Sequence, residues 1–245
     1  MSNKILFVFE GEKTEKQITN SLTEYFVNDN ENTIVQCVYC NDIYELHKEI
    51  AQDTDLDTFE LLKEIDQNKE ILSPYNRTDF AEIYLFFDYD GHDTIADDDN
   101  VKEILAFFNE ETAAGKLFIS YPMVEALKHI PASIEDFKDL KVPAKTNVRY
   151  KKIVGIEAQK ELKQLNKYTK KTWTLLIDLH LKKMNFIVKD KYVLPTENTT
   201  QFDLFLKQLE KYITIDATVA VLSAFPIFLF DYYGYKYISN LIAEK

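Results

Sequence analysis

The sequence predicts an α/β fold in which a mostly parallel sheet is flanked by helices, with a mainly helical C-terminal part. Hydrophobic residues make up 46% of the 245 residues, enough for a well-buried core. Short apolar runs alternate with segments of helical periodicity at first, a pattern typical of parallel sheets. After Pro131 this alternation stops. We therefore predict an α/β core over residues 1–130 and a helical region over residues 131–245.

The first elements are read from apolar spacing. Lys4–Phe9 is apolar almost throughout, as expected for a strand that is covered on both faces. Thr14–Val27 has Ile18 and Leu22 on one side, which predicts a helix. Thr33–Cys40 is rich in β-branched residues and predicts a second strand.

The remaining elements of the core follow the same alternation. Helical patterns are interrupted by two further apolar runs of strand length. We predict helices over Asp42–Leu72, Asn100–Ala113 (capped by Asp99 or Asn100) and Met123–His129, and strands over Glu82–Phe87 and Lys116–Ser120.

The C-terminal region is predicted to be mainly helical. The segments are one or two helices over Glu157–Met184, a short strand pair around Phe186–Leu194, and helices over Phe202–Ile213 and Ala217–Ala243, the last interrupted near Pro226.

Cysteine usage and hydropathy predict a cytoplasmic protein without a membrane partner. Cys37 and Cys40 lie in a predicted strand without a second pair, so we interpret them as reduced structural cysteines. The apolar N-terminal run is short and ends in charge, unlike a signal peptide. The longest apolar run, Ala217–Phe230, is shorter than the roughly 20 residues that cross a membrane.

Charge is unevenly distributed along the chain. The net charge is −12, which argues against a protein that coats nucleic acid nonspecifically. However, residues 138–191 hold 15 Lys and Arg against 5 Asp and Glu, whereas residues 1–137 hold 10 against 30. Such asymmetry predicts an acidic half and a basic half with different partners.

Carboxylates follow two of the predicted strands. Glu10 comes directly after the first strand, and Asp88 and Asp90 come after the third, followed by Gly91 at a turn. Parallel strands end at one edge of a sheet, where ligands collect. Carboxylates without a histidine cluster favour Mg²⁺ or Mn²⁺ over Zn²⁺. Ordinary turn or helix-capping acids are the alternative for any one of these residues.

The segments `VFEGEKTE` and `LFFDYDG` resemble the two signature regions of the TOPRIM domain. The `EGEKTE` form is similar to the overcoming-lysogenization-defect (OLD) nucleases, and especially to RloB-like and AbiL-type phage-defence proteins. In those families a later strand precedes a segment resembling S-x-P-x-x-E. Here `ISYPMVEAL` supplies Ser120, Pro122 and Glu125. The resemblance covers residues 4–130 and leaves the C-terminal half unassigned.

The resemblance implies a Mg²⁺- or Mn²⁺-dependent endonuclease for DNA or tRNA, acting in antiviral defence of the abortive-infection type beside an ABC-type ATPase. It implies that Glu10 is the general acid/base or a metal ligand, that Asp88 and Asp90 bind metal, and that Glu15 and Glu125 complete a second metal position. Ser120, Gly11 and Gly91 would support the site.

The basic segment is a candidate for binding the substrate strand. Tyr150, Tyr168 and Trp173 lie among its cations and are expected to stack bases. A solvated helix face is the alternative interpretation. The candidate cations are Lys141, Lys145, Arg149, Lys151 and Lys152.

Two other function classes stay open. `YLFFDYDGHDT` resembles the motif of haloacid-dehalogenase-type phosphatases, with Asp88 as nucleophile and Asp90 as acid/base, but His92 breaks the match and `EGEKTE` is left unexplained. A non-catalytic regulatory subunit is the second alternative. No `GxxxxGK[ST]` phosphate-binding loop is present, so ATP hydrolysis would belong to a partner.

Overall fold

The computed structural model describes residues 4–11, 13–27, 33–39, 43–52, 57–89, 91, 97–146 and 148–244. The chain divides into two compact units. Unit 1 comprises residues 1–87 and 97–118, and unit 2 comprises residues 88–96 and 119–245. The predicted division at residue 130 stays a prediction.

A five-stranded sheet forms the centre of the α/β part. Its strands are β1 (Lys4–Phe9), β2 (Thr33–Val38), β3 (Phe80–Asp88), β4 (Asn109–Glu110) and β5 (Gly115–Ser120), in the order β2-β1-β3-β5-β4. β1 pairs in parallel with both β2 and β3, and β4 pairs antiparallel with β5. The fold is therefore α/β with a mostly parallel sheet, as the sequence predicts.

Aromatic side chains hold neighbouring strands together inside unit 1. The Phe7 ring on β1 lies 6.0 Å from the Tyr84 ring and 5.3 Å from the Phe86 ring, both on β3. Phe86 in turn stacks on Phe118 of β5, with the ring centroids 5.9 Å apart. These pairs bury large apolar areas and fix the strand register.

The helices of unit 1 are short. They are α1 (Thr14–Tyr25), α2 (Ile43–Gln52), α3 (Thr58–Glu64), α4 (Lys69–Leu72) and α5 (Asp98–Phe107). The prediction of one helix over Asn100–Ala113 was wrong at both ends. The Asp97 side chain accepts from Asp99 N and caps α5, which ends before the short strand β4.

Unit 2 is mainly helical. Its regular helices are α6 (Tyr150–Glu157), α7 (Lys170–Lys189), α8 (Gln201–Gln208), α9 (Thr214–Asp216) and α10 (Ala224–Ala243), and its two-stranded sheet pairs β6 (Lys141–Pro143) with β7 (Thr218–Ala220). Short 3₁₀ turns fill much of the rest, at Val124–Lys128, Ile134–Asp139, Lys160–Lys163 and Leu165–Lys167.

Buried polar groups on α7 hold these turns in place. The Lys183 ammonium is fully buried and donates to Phe137 O at 2.7 Å and Leu140 O at 2.6 Å. His180 Nδ1 accepts from Ser223 N at 3.1 Å, while its Nε2 lies 3.3 Å from Leu127 O. Irregular backbone is thereby satisfied by side chains rather than by a helix ladder.

Four expectations for the C-terminal region were wrong. The helix predicted from Ala217 begins only at Ala224, because Thr218–Ala220 forms strand β7. Residues 158–169 form 3₁₀ turns instead of continuing a helix, and the strand pair expected around Phe186–Leu194 is the end of α7 and an irregular segment. Pro226 lies in the first turn of α10, where proline is tolerated. The break falls at Gly234, whose φ is 74°.

Cys37 is buried in unit 1, and Cys40 lies outside the described residues. Within the described part of the chain, none of the helices has the length and apolar character that crossing a bilayer requires.

Candidate functional site

The predicted ligands Glu10 and Glu15 lie in unit 1. Glu10 follows β1 and is partly buried, and Glu15 lies in the first turn of α1 with 8% of its surface exposed. A Cβ added to Gly11 would lie 3.3 Å from both carboxylate oxygens of Glu15. The Glu15 carboxylate is therefore packed against the Gly11 backbone, so these two predicted residues come together.

The predicted ligand Asp88 is the last residue of β3, is 8% exposed and belongs to unit 2. The next amide, Tyr89 N, donates to both Ser120 O at 3.0 Å and Pro122 O at 3.1 Å. These bonds fasten the chain after β3 to the Ser120–Glu125 segment. Asp90 lies outside the described residues.

Gly91 is buried where the chain leaves β3. A Cβ at this position would lie 2.3 Å from the Tyr89 ring and 3.0 Å from Ala144 O. Both distances are too short for a methyl group, so glycine permits a close approach to the segment after β6. The close packing therefore explains why this position is a glycine.

The predicted supporting residue Ser120 connects two parts of unit 2. Its Oγ accepts from Ala224 N at 3.2 Å, at the start of α10. This bond satisfies one of the amides that a helix leaves unpaired at its N-terminus. Ser120 therefore positions the segment that carries Glu125.

Glu125 is a buried carboxylate with one unsatisfied oxygen. The residue is 4% exposed, and its Oε1 lies 3.8 Å from Lys151 Nζ. Among the described residues, no group hydrogen-bonds to Oε2. A buried polar atom without a partner is costly, and an ion or a water is a common explanation.

Tyr150 lies between a buried histidine and the acidic residues. Its hydroxyl is 2.9 Å from His129 Nδ1, and His129 Nε2 is 3.1 Å from Glu157 Oε2. Burial raises the pKa of Tyr150 well above its usual value, and the negative charges of Glu125, Asp88 and Glu157 raise it further. The charges of Asp88 and Glu125 therefore act on the same phenol.

Burial lowers the pKa of His129, although the hydrogen bond to Glu157 opposes this effect. A neutral His129 donates from Nε2 to the carboxylate, so Nδ1 accepts from the Tyr150 hydroxyl. This arrangement was not predicted, because His129 and Glu157 are 28 positions apart in the chain and no spacing motif connects them.

A pocket of about 310 Å³ opens beside Tyr150 within unit 2. It is bordered by the turn after β3, by the segment that carries Glu125 and by the start of α6. Three of the five predicted nucleic-acid-binding cations line it, namely Arg149, Lys151 and Lys152. All three are exposed.

The other two predicted cations have contacts outside this pocket's lining. Lys141 forms an ion pair with Asp216, between β6 and α9. Lys145 Nζ lies 5.7 Å from the centre of the Tyr89 ring, in a cation–π contact.

Two of the three aromatic residues expected to stack bases are in the core instead. Tyr168 is 4% exposed, Trp173 is fully buried, and their rings pack edge to face at 5.8 Å. The Tyr168 hydroxyl donates to Leu162 O at 2.7 Å. The expectation was wrong for these two because both rings pack in the core, Trp173 from α7 and Tyr168 from the segment before it. Tyr150 lines the pocket.

Among the described residues, no group of three or more His, Cys, Asp and Glu side chains is arranged to hold a metal ion. The predicted ligands Glu10 and Glu15 belong to unit 1, whereas Asp88 and Glu125 belong to unit 2. The donor chemistry in unit 2 fits a hard cation, since the Asp88 and Glu125 carboxylates both raise the pKa of Tyr150 and one oxygen of Glu125 is unsatisfied.

Comparison with protein-family models, with curated proteins and with solved structures gives no significant match to this chain.

Proposed function

We propose that this chain is a Mg²⁺- or Mn²⁺-dependent endonuclease that cleaves phosphodiester bonds of DNA or tRNA. The observation that carries the proposal is the pocket of unit 2, where three exposed cations lie beside a segment holding a buried carboxylate. Cations bind the phosphate backbone of a substrate. Carboxylates bind the divalent ion that such hydrolysis uses.

Asp88 and Glu125 are the described residues of unit 2 that would hold the cation, together with Asp90 on the strength of the resemblance. The unsatisfied Oε2 of Glu125 supports this assignment. A bound divalent cation stabilises negative charge on the phosphate oxygens. Glu10 and Glu15 remain ligands that the TOPRIM resemblance implies, with Glu10 also as the acid/base.

The reaction is hydrolysis. A water oxygen forms the new bond to phosphorus, the bond between phosphorus and one sugar oxygen breaks, and that oxygen takes a proton. Arg149, Lys151 and Lys152 hold the backbone phosphates at the pocket rim. The resemblance further implies a role in antiviral defence beside an ABC-type ATPase. The sequence has no `GxxxxGK[ST]` phosphate-binding loop, so the partner would hydrolyse the ATP.

Cleavage of plasmid, single-stranded DNA and total tRNA with and without Mg²⁺ or Mn²⁺ tests the proposal. We expect the purified chain to cleave at least one of them only when the cation is present, and Asp88→Asn to abolish cleavage. Asp136→Asn is the matched control, because Asp136 is exposed and is not in the pocket lining. Cation-independent cleavage, or equal cleavage by Asp88→Asn, would contradict the proposal.

The same preparation separates the alternatives. A phosphatase of the haloacid-dehalogenase type would hydrolyse a phosphomonoester and lose little activity in Glu10→Gln, whereas the nuclease loses activity in that variant. A chain that binds Mg²⁺ in a titration but cleaves no nucleic acid, even with an ATPase partner added, would be a non-catalytic subunit.

A further inference from the structure

The pocket beside Tyr150 combines two kinds of surface. Its lining is largely apolar and includes Pro122, Met123, Val148 and Tyr150. Its rim carries Arg149 and Lys152 together with Lys151. A nucleotide has the same division, with a flat apolar base at one end and an anionic phosphate at the other.

We propose that this pocket binds one unstacked nucleotide of a single strand, with its base against Tyr150 and Met123 and its phosphate at Arg149 and Lys152. The inference rests on the proposed function for the identity of the polymer. It goes further by assigning a base-binding pocket and by requiring an unpaired base.

The size of the pocket agrees with this occupant. Ligand pockets range from about 300 to 1,000 Å³, and 310 Å³ is at the small end, suited to one base and its sugar. A longer stretch of strand would have to lie outside. A base inside a duplex would first have to leave its stack, which costs free energy and favours single-stranded or already unpaired positions.

The Tyr150 ring is held in one orientation before any ligand arrives. Its hydroxyl hydrogen-bonds to His129, which Glu157 holds from the opposite side, and the residue is 5% exposed. A fixed aromatic wall loses little conformational freedom when a base packs on it. Stacking of this kind accepts every base, so the pocket is expected to have weak sequence preference.

The cations support the assignment through charge complementarity with a phosphate. Arg149, Lys151 and Lys152 are exposed and line the pocket, which gives its mouth a positive charge. Lys151 also lies 3.8 Å from Glu125 Oε1, so it connects the nucleotide pocket with the carboxylate of the proposed cleavage site. A phosphate at this rim would be next to the proposed cation site.

Binding of a short fluorescent single strand to the full chain in EDTA tests the inference without cleavage. We expect Thr146→Trp, which fills the pocket from an exposed lining position, to weaken binding about tenfold, as loss of one stacked base does. Lys152→Glu should also weaken binding, because it reverses a charge that the phosphate contacts. Ile156→Trp and Lys236→Glu are matched controls: both sites are exposed and neither is in the pocket lining. These controls should bind like the unmodified chain.

A scan of the strand with single abasic positions is independent of whether a variant folds. We expect an abasic site at one position of the strand to weaken binding about tenfold. This effect should disappear in Thr146→Trp, since the abasic site and the filled pocket remove the same contact between base and protein. A flat scan, or duplex binding as tight as single-strand binding, would overturn the inference. Equally tight binding of free nucleoside monophosphate would identify a free-nucleotide site and overturn the assignment to a strand.

Failure of this inference and failure of the proposed function give different results. If the chain cleaves nucleic acid but no abasic position weakens binding, the base pocket is refuted and the nuclease proposal remains. An abasic effect without cleavage under any cation retains the base pocket and refutes the nuclease.

Discussion

The hydroxyl of Tyr150 donates to Nδ1 of His129 across 2.9 Å, and both residues are buried in unit 2. Removing the hydroxyl in Tyr150→Phe leaves a buried acceptor without its donor. We expect the free energy of unfolding to fall by about 1–3 kcal/mol, measured by urea denaturation.

A double-mutant cycle with His129→Leu isolates this bond. Because the two groups pair with each other, the loss in the double variant should be smaller than the sum of the single losses by about 1 kcal/mol. Additive losses would show that the two groups do not interact.

Acid should destabilise the protein through His180. Burial lowers the pKa of His180 to about 3 in the folded state, below its ordinary value of about 6.5. The unfolded chain therefore binds more protons between these values, so the stabilisation is complete above pH 6.5 and is lost as the pH falls towards 3.

Urea unfolding of the unmodified chain and of His180→Gln between pH 7 and pH 4 measures this contribution. We expect the difference in unfolding free energy between the two to shrink on acidification by up to about 1.4 kcal/mol per pH unit. A difference that is constant with pH would contradict the assignment of a neutral, hydrogen-bonded His180.

Two glycines of unit 2 should respond oppositely to alanine. Gly91→Ala places a Cβ 2.3 Å from the Tyr89 ring and should destabilise by about 1–3 kcal/mol through overpacking. Gly155 lies in α6 with nothing within 4 Å of an added Cβ, so Gly155→Ala should stabilise by about 0.5–1 kcal/mol. Thermal unfolding of both variants checks the signs; the same sign for both would be inconsistent with the packing described.

Magnesium should stabilise the chain through Glu125. At a concentration about 100 times Kd, a ligand specific for the folded state adds about 2.7 kcal/mol, visible as a higher Tm. Glu125→Gln should remove this increase, whereas the exposed control Glu161→Gln should retain it. An equal Mg²⁺ shift in both variants would exclude Glu125 as a ligand.

The cations of the basic segment should separate into two groups. Lys141 and Asp216 are both exposed, so Lys141→Ala should change stability little. Its effect on single-strand affinity should be smaller than that of Lys152→Ala, because only Lys152 lines the pocket. Titration of labelled strand into both variants compares them, and a larger loss for Lys141→Ala would refute this division.

Four strands, β1, β2, β3 and β5, were predictable from sequence because a buried strand of a mostly parallel sheet is a short, nearly continuous apolar run. The short strands β4, β6 and β7 were not predicted. Lys4–Phe9 was predicted with the bounds that the structure gives. The strand predicted over Glu82–Phe87 begins two residues earlier in the structure, at Phe80. Ala81 and Glu82 interrupt the apolar pattern after Phe80, which nevertheless packs against Phe59.

The C-terminal region was less predictable because side chains replace regular backbone pairing there. Asp190 ends α7 in a left-handed conformation, with φ of 57°. Glycine is the usual residue at such a position, so the sequence does not indicate this helix end. The candidate site shows the same limit. The carboxylates follow from motifs, but the Tyr150, His129 and Glu157 chain depends on contacts between segments that no periodicity relates.

Helix α7 carries two buried polar side chains, His180 and Lys183, that form hydrogen bonds with turns distant in sequence. The irregular segments of unit 2 that contain Leu127, Phe137, Leu140 and Ser223 are therefore held in place by hydrogen bonds to this helix. We therefore expect the fold of unit 2 to tolerate substitutions in the anchored segments better than substitutions of His180 or Lys183.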